Sequence, residues 1–60
     1  MDINTSNKIS YILVRISYKI DSASTHIERE EGENAMDLLK SIKEDLEEIN
    51  SILSSLGTEG

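Results

Sequence analysis

The stretch ISYILVRISYKI, residues 9–20, decides the fold of this chain. From Val14 to Asp21 it alternates apolar and polar, V-R-I-S-Y-K-I-D, the pattern of a half-buried strand. Ile9, Leu13, Ile16 and Ile20, however, step by four, three and four, which is one stripe of a helix. The stripe runs on through Ala23 and Ile27, a continuation that a short strand leaves unexplained. A helix is therefore expected here.

A second stripe follows Gly32: Ala35, Leu39, Ile42, Leu46, Ile49, Leu53 and Leu56, again alternating steps of four and three. Both stripes have the form of coiled-coil seams. Thr5 or Ser6 is placed to cap the first helix by accepting backbone N–H bonds, and Gly32 suits the left-handed residue that closes it. Asn34 followed by Asp37 resembles a capping box for the second helix, with Glu33 and Asp37 complementing its dipole. Leu56-Gly57 reads as a stop. The helices are expected near 6–31 and 34–56, with residues 1–5 and 58–60 frayed, in one unit spanning 1–60.

So short a connection makes the helices antiparallel. The expected layers are Ile27 with Ala35, Ala23 with Leu39, Ile20 with Ile42, Ile16 with Leu46, Leu13 with Ile49, and Ile9 with Leu53; each pair of numbers adds to 62. The fold class is all-α: an antiparallel two-helix hairpin assembling as a four-helix bundle. Two helices shield only one side of each seam, so assembly is needed to close a core. A homodimer is the first expectation and a tetramer the second; a different helical protein supplying the missing helices is the alternative.

Composition fits this reading. A 60-residue chain buries only about 60% of its unfolded surface. It has no cysteine for a disulfide and no Cys/His cluster for a structural zinc. Proline and tryptophan are absent, and Ile and Leu dominate the apolar set, which favours helices. MDINTSNK lacks the basic-then-apolar order of a signal peptide. No apolar run approaches the ~18 residues of a membrane span, so no membrane association and a cytoplasmic location are expected.

The net charge of −6 is unevenly shared. Residues 1–29 carry four basic and three acidic groups, and residues 30–60 carry two basic and nine acidic groups. The outer face of the second helix, with Asp37, Glu44, Glu47 and Glu48, is an ordinary solvated surface. The first helix differs, because Tyr11, Val14 and Tyr18 lie opposite its seam and make a second apolar face. These three are the candidate partner patch; the plainer alternative is tyrosine rings resting on neighbouring side chains. A further row, Lys8, Ile12, Arg15, Lys19, Ser22, His26 and Arg29, has five members that are basic or can become so. Lys8, Arg15, Lys19, His26 and Arg29 are candidate nucleic-acid contacts, unless they pair with the acidic second helix. Ser10, Ser17 and Ser24 recur every seven residues on the other flank.

Catalytic chemistry is missing from the pattern. His26 is the single histidine and no nucleophile–base arrangement can be assembled around it. Glu28, Glu30, Glu31 and Glu33 crowd the turn without the loop of a calcium-binding hand. No enzyme activity, cofactor or metal is expected.

In length, short turn, layered seam and acidic balance the chain resembles the Rop family of small plasmid proteins. These are antiparallel hairpins that dimerise into four-helix bundles and bind paired RNA loops. The likeness covers the whole chain as architecture and carries over no functional residue. Two functions follow as expectations. One is a non-enzymatic, homo-oligomeric bundle that acts as an adaptor, inhibitor or chaperone-like regulator of another protein through helix 1. The other is a Rop-like, RNA-binding regulator that uses the basic row.

Overall fold

The computed structural model describes residues 1–57 and consists of two long helices, α1 (Ile3–Glu28) and α2 (Gly32–Gly57), packed antiparallel as a hairpin. The strand-like alternation in residues 14–21 is wholly helical. The frayed end expected at 58–60 lies outside the described residues.

Both helices start earlier than expected. Asp2, with extended backbone, is the N-cap of α1; its Oδ1 accepts the backbone N–H of Thr5 at 2.7 Å. That carboxylate satisfies a first-turn donor and faces the positive end of the dipole. Residues 3–5, expected to fray, are therefore helical, and Thr5 and Ser6 are interior positions rather than caps. At the turn, Glu30 takes the left-handed conformation (φ 61°) assigned in advance to Gly32. The Glu31 N–H donates to His26 O at 2.8 Å and the Glu30 N–H to Ile27 O at 3.0 Å. These are the two bonds of a Schellman motif, in which Glu30 holds the place that glycine usually takes. Gly32 instead opens α2, and Asn34 lies inside that helix rather than capping it.

The cost of a side chain in this conformation is about 1–2 kcal/mol. Glu30→Gly should recover about 1 kcal/mol of it and raise the thermal midpoint by about 4–8 °C, measured by circular dichroism. Gly32→Ala should stabilise as well, because a Cβ there meets nothing within 4 Å and alanine has fewer unfolded conformations to lose than glycine.

The helix contact is built from two rows with heptad spacing. On α1 the residues turned toward α2 are Thr5, Ile9, Ile12, Ile16, Lys19, Ala23 and His26, all buried or half-buried. On α2 they are Ala35, Leu38, Ile42, Asp45, Ile49, Ile52 and Leu56. Ile12, Ile16 and Ile42 form the core cluster, with Ile49 and Ile52 packed against it. This corrects the expected layers. Only one member of each expected pair faces the other helix. The remaining members, Leu13, Ile20, Ile27, Leu39, Leu46 and Leu53, are 47–60% exposed. Ile12, placed to one side of the seam on sequence grounds, is the most deeply buried, at 1% exposure.

The physical reason is that each helix carries two interleaved seams with one row in common. Ile9, Ile16 and Ala23 belong to both, as do Ala35, Ile42, Ile49 and Leu56. Three apolar-spaced positions per heptad make a face too wide for one neighbouring helix to cover. The hairpin uses one edge of that face and leaves the other open. Along the chain the register is close to expectation, with the contacts of Arg15 and Lys19 to Ser41, Asp45 and Glu48 joining residues whose numbers add to between 60 and 64.

Candidate functional site

The open row is the main feature of the surface. At about 100° per residue, Leu13, Ile20 and Ile27 turn away from α2 on one side of α1. Leu39, Leu46 and Leu53 turn away from α1 on the matching side of α2. Because the helices are antiparallel, these two sides coincide, so all six residues lie on one face of the hairpin. The positions bordering this face are Ser10, Ser17 and Ser24 on α1 and Met36, Lys43 and Asn50 on α2. A face of six branched apolar side chains thus has a single charge, Lys43, on its immediate border.

The opposite face holds a polar network across the helix contact. Asp45, only 5% exposed, accepts a hydrogen bond from Arg15 Nη2 on Oδ1 at 2.8 Å and from Lys19 Nζ on Oδ2 at 2.6 Å. Lys19 Nζ also donates to Ser41 Oγ at 2.7 Å, and Arg15 reaches Glu48 at 3.6 Å. Two cations satisfy one carboxylate, which is how a charge tolerates a buried position. The Arg15 guanidinium, followed by the Lys19 ammonium, holds the Asp45 carboxyl below its ordinary range.

The sign of the resulting pH dependence is fixed. In the unfolded chain Asp45 titrates near ~3.9, and in the fold it takes up its proton only at lower pH. Its stabilisation is therefore complete above the unfolded value and is lost as pH falls through the folded one. Asp45→Asn should melt below the unaltered protein at pH 7, and the two melting curves should begin to approach each other only below the unfolded value of ~3.9, converging once pH has fallen through the lower folded value. Thermal scans across that range check this.

Arg15 and Lys19, expected as nucleic-acid contacts, are thus committed to Asp45 and its neighbours. His26 Nδ1 lies 2.9 Å from Glu31 Oε1, so this residue closes the turn rather than meeting Glu28 or Arg29. Lys8 and Arg29 make no ion pair with described residues, and they stand at opposite ends of α1. Tyr11, Val14 and Tyr18 are exposed as expected, and the Arg15 guanidinium carbon lies 5.7 Å from the centre of the Tyr11 ring. Arg15 thus makes a cation–π contact at the Tyr11 end of the patch. Among the described residues no three His, Cys, Asp or Glu side chains are gathered to hold a metal ion, and no helix is long and apolar enough to cross a membrane.

The residues missed in advance are Asp45, Ser41 and Ile12. A signal for them was present. Leu38, Ile42, Asp45, Ile49 and Ile52 keep the same alternating spacing as the apolar stripe. Asp45 stands level with the basic residues of the corresponding α1 row. A charge at a seam position, opposite a charge of the other sign, marks a buried pair.

No protein family, curated protein or solved structure matches this chain.

Proposed function

We propose that this hairpin is half of a four-helix bundle, and that the homo-oligomeric bundle is a non-enzymatic protein–protein interaction module. In this reading it acts as an adaptor, inhibitor or chaperone-like regulator, with the outer face of α1 (Tyr11, Val14, Tyr18) turned to its client. The observation that carries the reading is the open row: the purely apolar seam is exposed, while the seam containing charges is buried. Burying Asp45 under the half-buried Arg15 and Lys19 while leaving six branched aliphatics about half exposed inverts the usual order of solvation. A second layer of helices over the open row restores it.

Shape supports the same conclusion. The Cα radius of gyration is 14.2 Å, against about 10 Å for a compact domain of this length. The chain exposes 4633 Å², where a compact protein of 6.7 kDa exposes about 3,900 Å². The excess of about 700 Å² is close to the ~800 Å² that each partner contributes to a stable interface. Sedimentation equilibrium of the purified chain is the test. A mass of two or four chains is expected; a monomer at all concentrations removes the basis of the proposal.

RNA or another nucleic acid is the second reading. Its remaining support is Lys8 on α1 and Arg29 at the C-cap of α1, which make no ion pair with described residues. Lys8→Ala and Arg29→Ala leave the Asp45 network intact, so loss of salt-dependent RNA binding in these variants would favour this reading. Arg15→Glu and Lys19→Glu are unsuitable, since they attack the helix contact itself.

A further inference from the structure

We infer that the occupant of the open row is a second copy of this chain lying head to tail, so that each turn sits at the other copy's open end and α1 packs on the partner's α1. This rests on the self-association proposed above and goes further by fixing the arrangement.

Two symmetric placements bring two open rows face to face. In one, the turns share an end and each α1 lies on the partner's α2. In the other, the turns lie at opposite ends, with α1 on the partner's α1 and α2 on the partner's α2. Every neighbouring pair of helices is antiparallel in both, so helix dipoles do not separate them. Side-chain charge does. The turn carries Glu28, Glu30, Glu31 and Glu33 against Arg29, a net −3 with His26 neutral. Turns at the same end put two such clusters side by side. Head to tail, each cluster meets an end that among the described residues carries Asp2 and Lys8, which cancel, and the two turns stand apart by nearly the 46 Å length of the molecule. That separation is several Debye lengths at physiological salt, so the mutual repulsion of the turns is lost.

The contact positions follow from the levels of the hairpin. Arg15 and Lys19 reach Ser41, Asp45 and Glu48 in pairs whose numbers add to 60, 63 and 64, so residues adding to about 62 lie level. The open row thus runs from the level of Leu53 to that of Ile27, and the face positions nearest its midpoint are Ser17 on α1 and Lys43 on α2. In the head-to-tail dimer the two-fold axis passes there. Ser17 meets the partner's Ser17, with Ser10 and Ser24 on either side, and nothing bulky keeps the two α1 helices apart. On α2 the same symmetry brings Lys40 level with the partner's Glu47, which offsets the approach of the two Lys43 side chains. The face carries few charges of its own, so a chain of net charge −6 can meet a copy of itself without pressing its acidic surfaces together.

The chain has no cysteine, so introduced thiols report positions directly. Ser17→Cys alone, treated with a short bis-maleimide, should give a covalent dimer in high yield. A mixture of Ser17→Cys and Lys43→Cys should give no more of the mixed dimer than a denatured control. Mixed dimer as the main product, or no Ser17 product from a chain that sediments as a dimer, overturns the head-to-tail placement while leaving self-association standing. A monomer by sedimentation of the unaltered chain overturns the self-association itself.

Discussion

Leu46→Glu should convert the assembled protein to monomers at micromolar concentration. Leu46 is half exposed in the hairpin, so the isolated fold tolerates a carboxylate there at little cost. In the proposed bundle the same position is covered. Each copy then loses about 0.8–1.5 kcal/mol of apolar burial, half the full value because half the side chain is already covered in the hairpin, and each must desolvate a carboxylate without a partner. With two copies per dimer the burial loss alone weakens association about 10- to 100-fold, at about 1.4 kcal/mol per factor of ten, and the desolvation adds to it. Sedimentation velocity reads the loss as a fall in mass. Val14→Glu is the control: Val14 is equally exposed in the hairpin, but it lies away from the open row. An unchanged mass for Leu46→Glu, or an equal effect of Val14→Glu, would overturn the assignment of this face.

Ile12→Ala should have the largest effect on folding itself. Its side chain is the one that is essentially inaccessible to water, and it touches the centre of the small isoleucine cluster. Removing it costs about 2–5 kcal/mol, the transfer free energy plus a cavity that two stiff helices cannot close by collapse. A chain of this size has only about 3–9 kcal/mol in total. The thermal midpoint should therefore fall by more than ten degrees, at about 4–8 °C per kcal/mol, and at the upper end of the range the helical signal disappears at room temperature. A matched Leu13→Ala separates core from face. It should cost much less at concentrations where the chain is monomeric, and more where it is assembled. If Ile12→Ala melts within two degrees of the unaltered protein, the core is elsewhere.

Much of the architecture could be read in the residues. The heptad spacing from Ile9 to Ile27 overrides a strand-like alternation because only a helix explains its length. The antiparallel hairpin follows from the short turn. The rotation of each helix about its own axis was less legible. The stripe of purely apolar residues is the obvious seam to the eye, yet the helices meet along the stripe holding Lys19 and Asp45. Apolar content alone does not determine which edge of a wide face is used, because opposite charges at the same level make a polar edge equally able to close. The turn was misread for a related reason. Glycine is favoured in a left-handed position, but the two Schellman bonds need only that Glu30 adopt it, and Gly32 was then free to begin α2. The tyrosine patch was legible as exposed surface. The stacking of Arg15 on Tyr11 follows from the way Asp45 holds the guanidinium, which the spacing of the residues alone does not reveal.

The hairpin is a sheet of two helices only 9 Å across in its thinnest Cα dimension. No residue in such a layer is far from solvent, and one row of its apolar ridge lies open. In the proposed assembly, stability then depends on how many copies are present, since mass action links folding to protomer concentration. Such a protein is sensitive to dosage: dilution, or a fall in its synthesis, shifts it toward loosely held hairpins open to proteolysis. Its abundance thereby becomes part of its regulation.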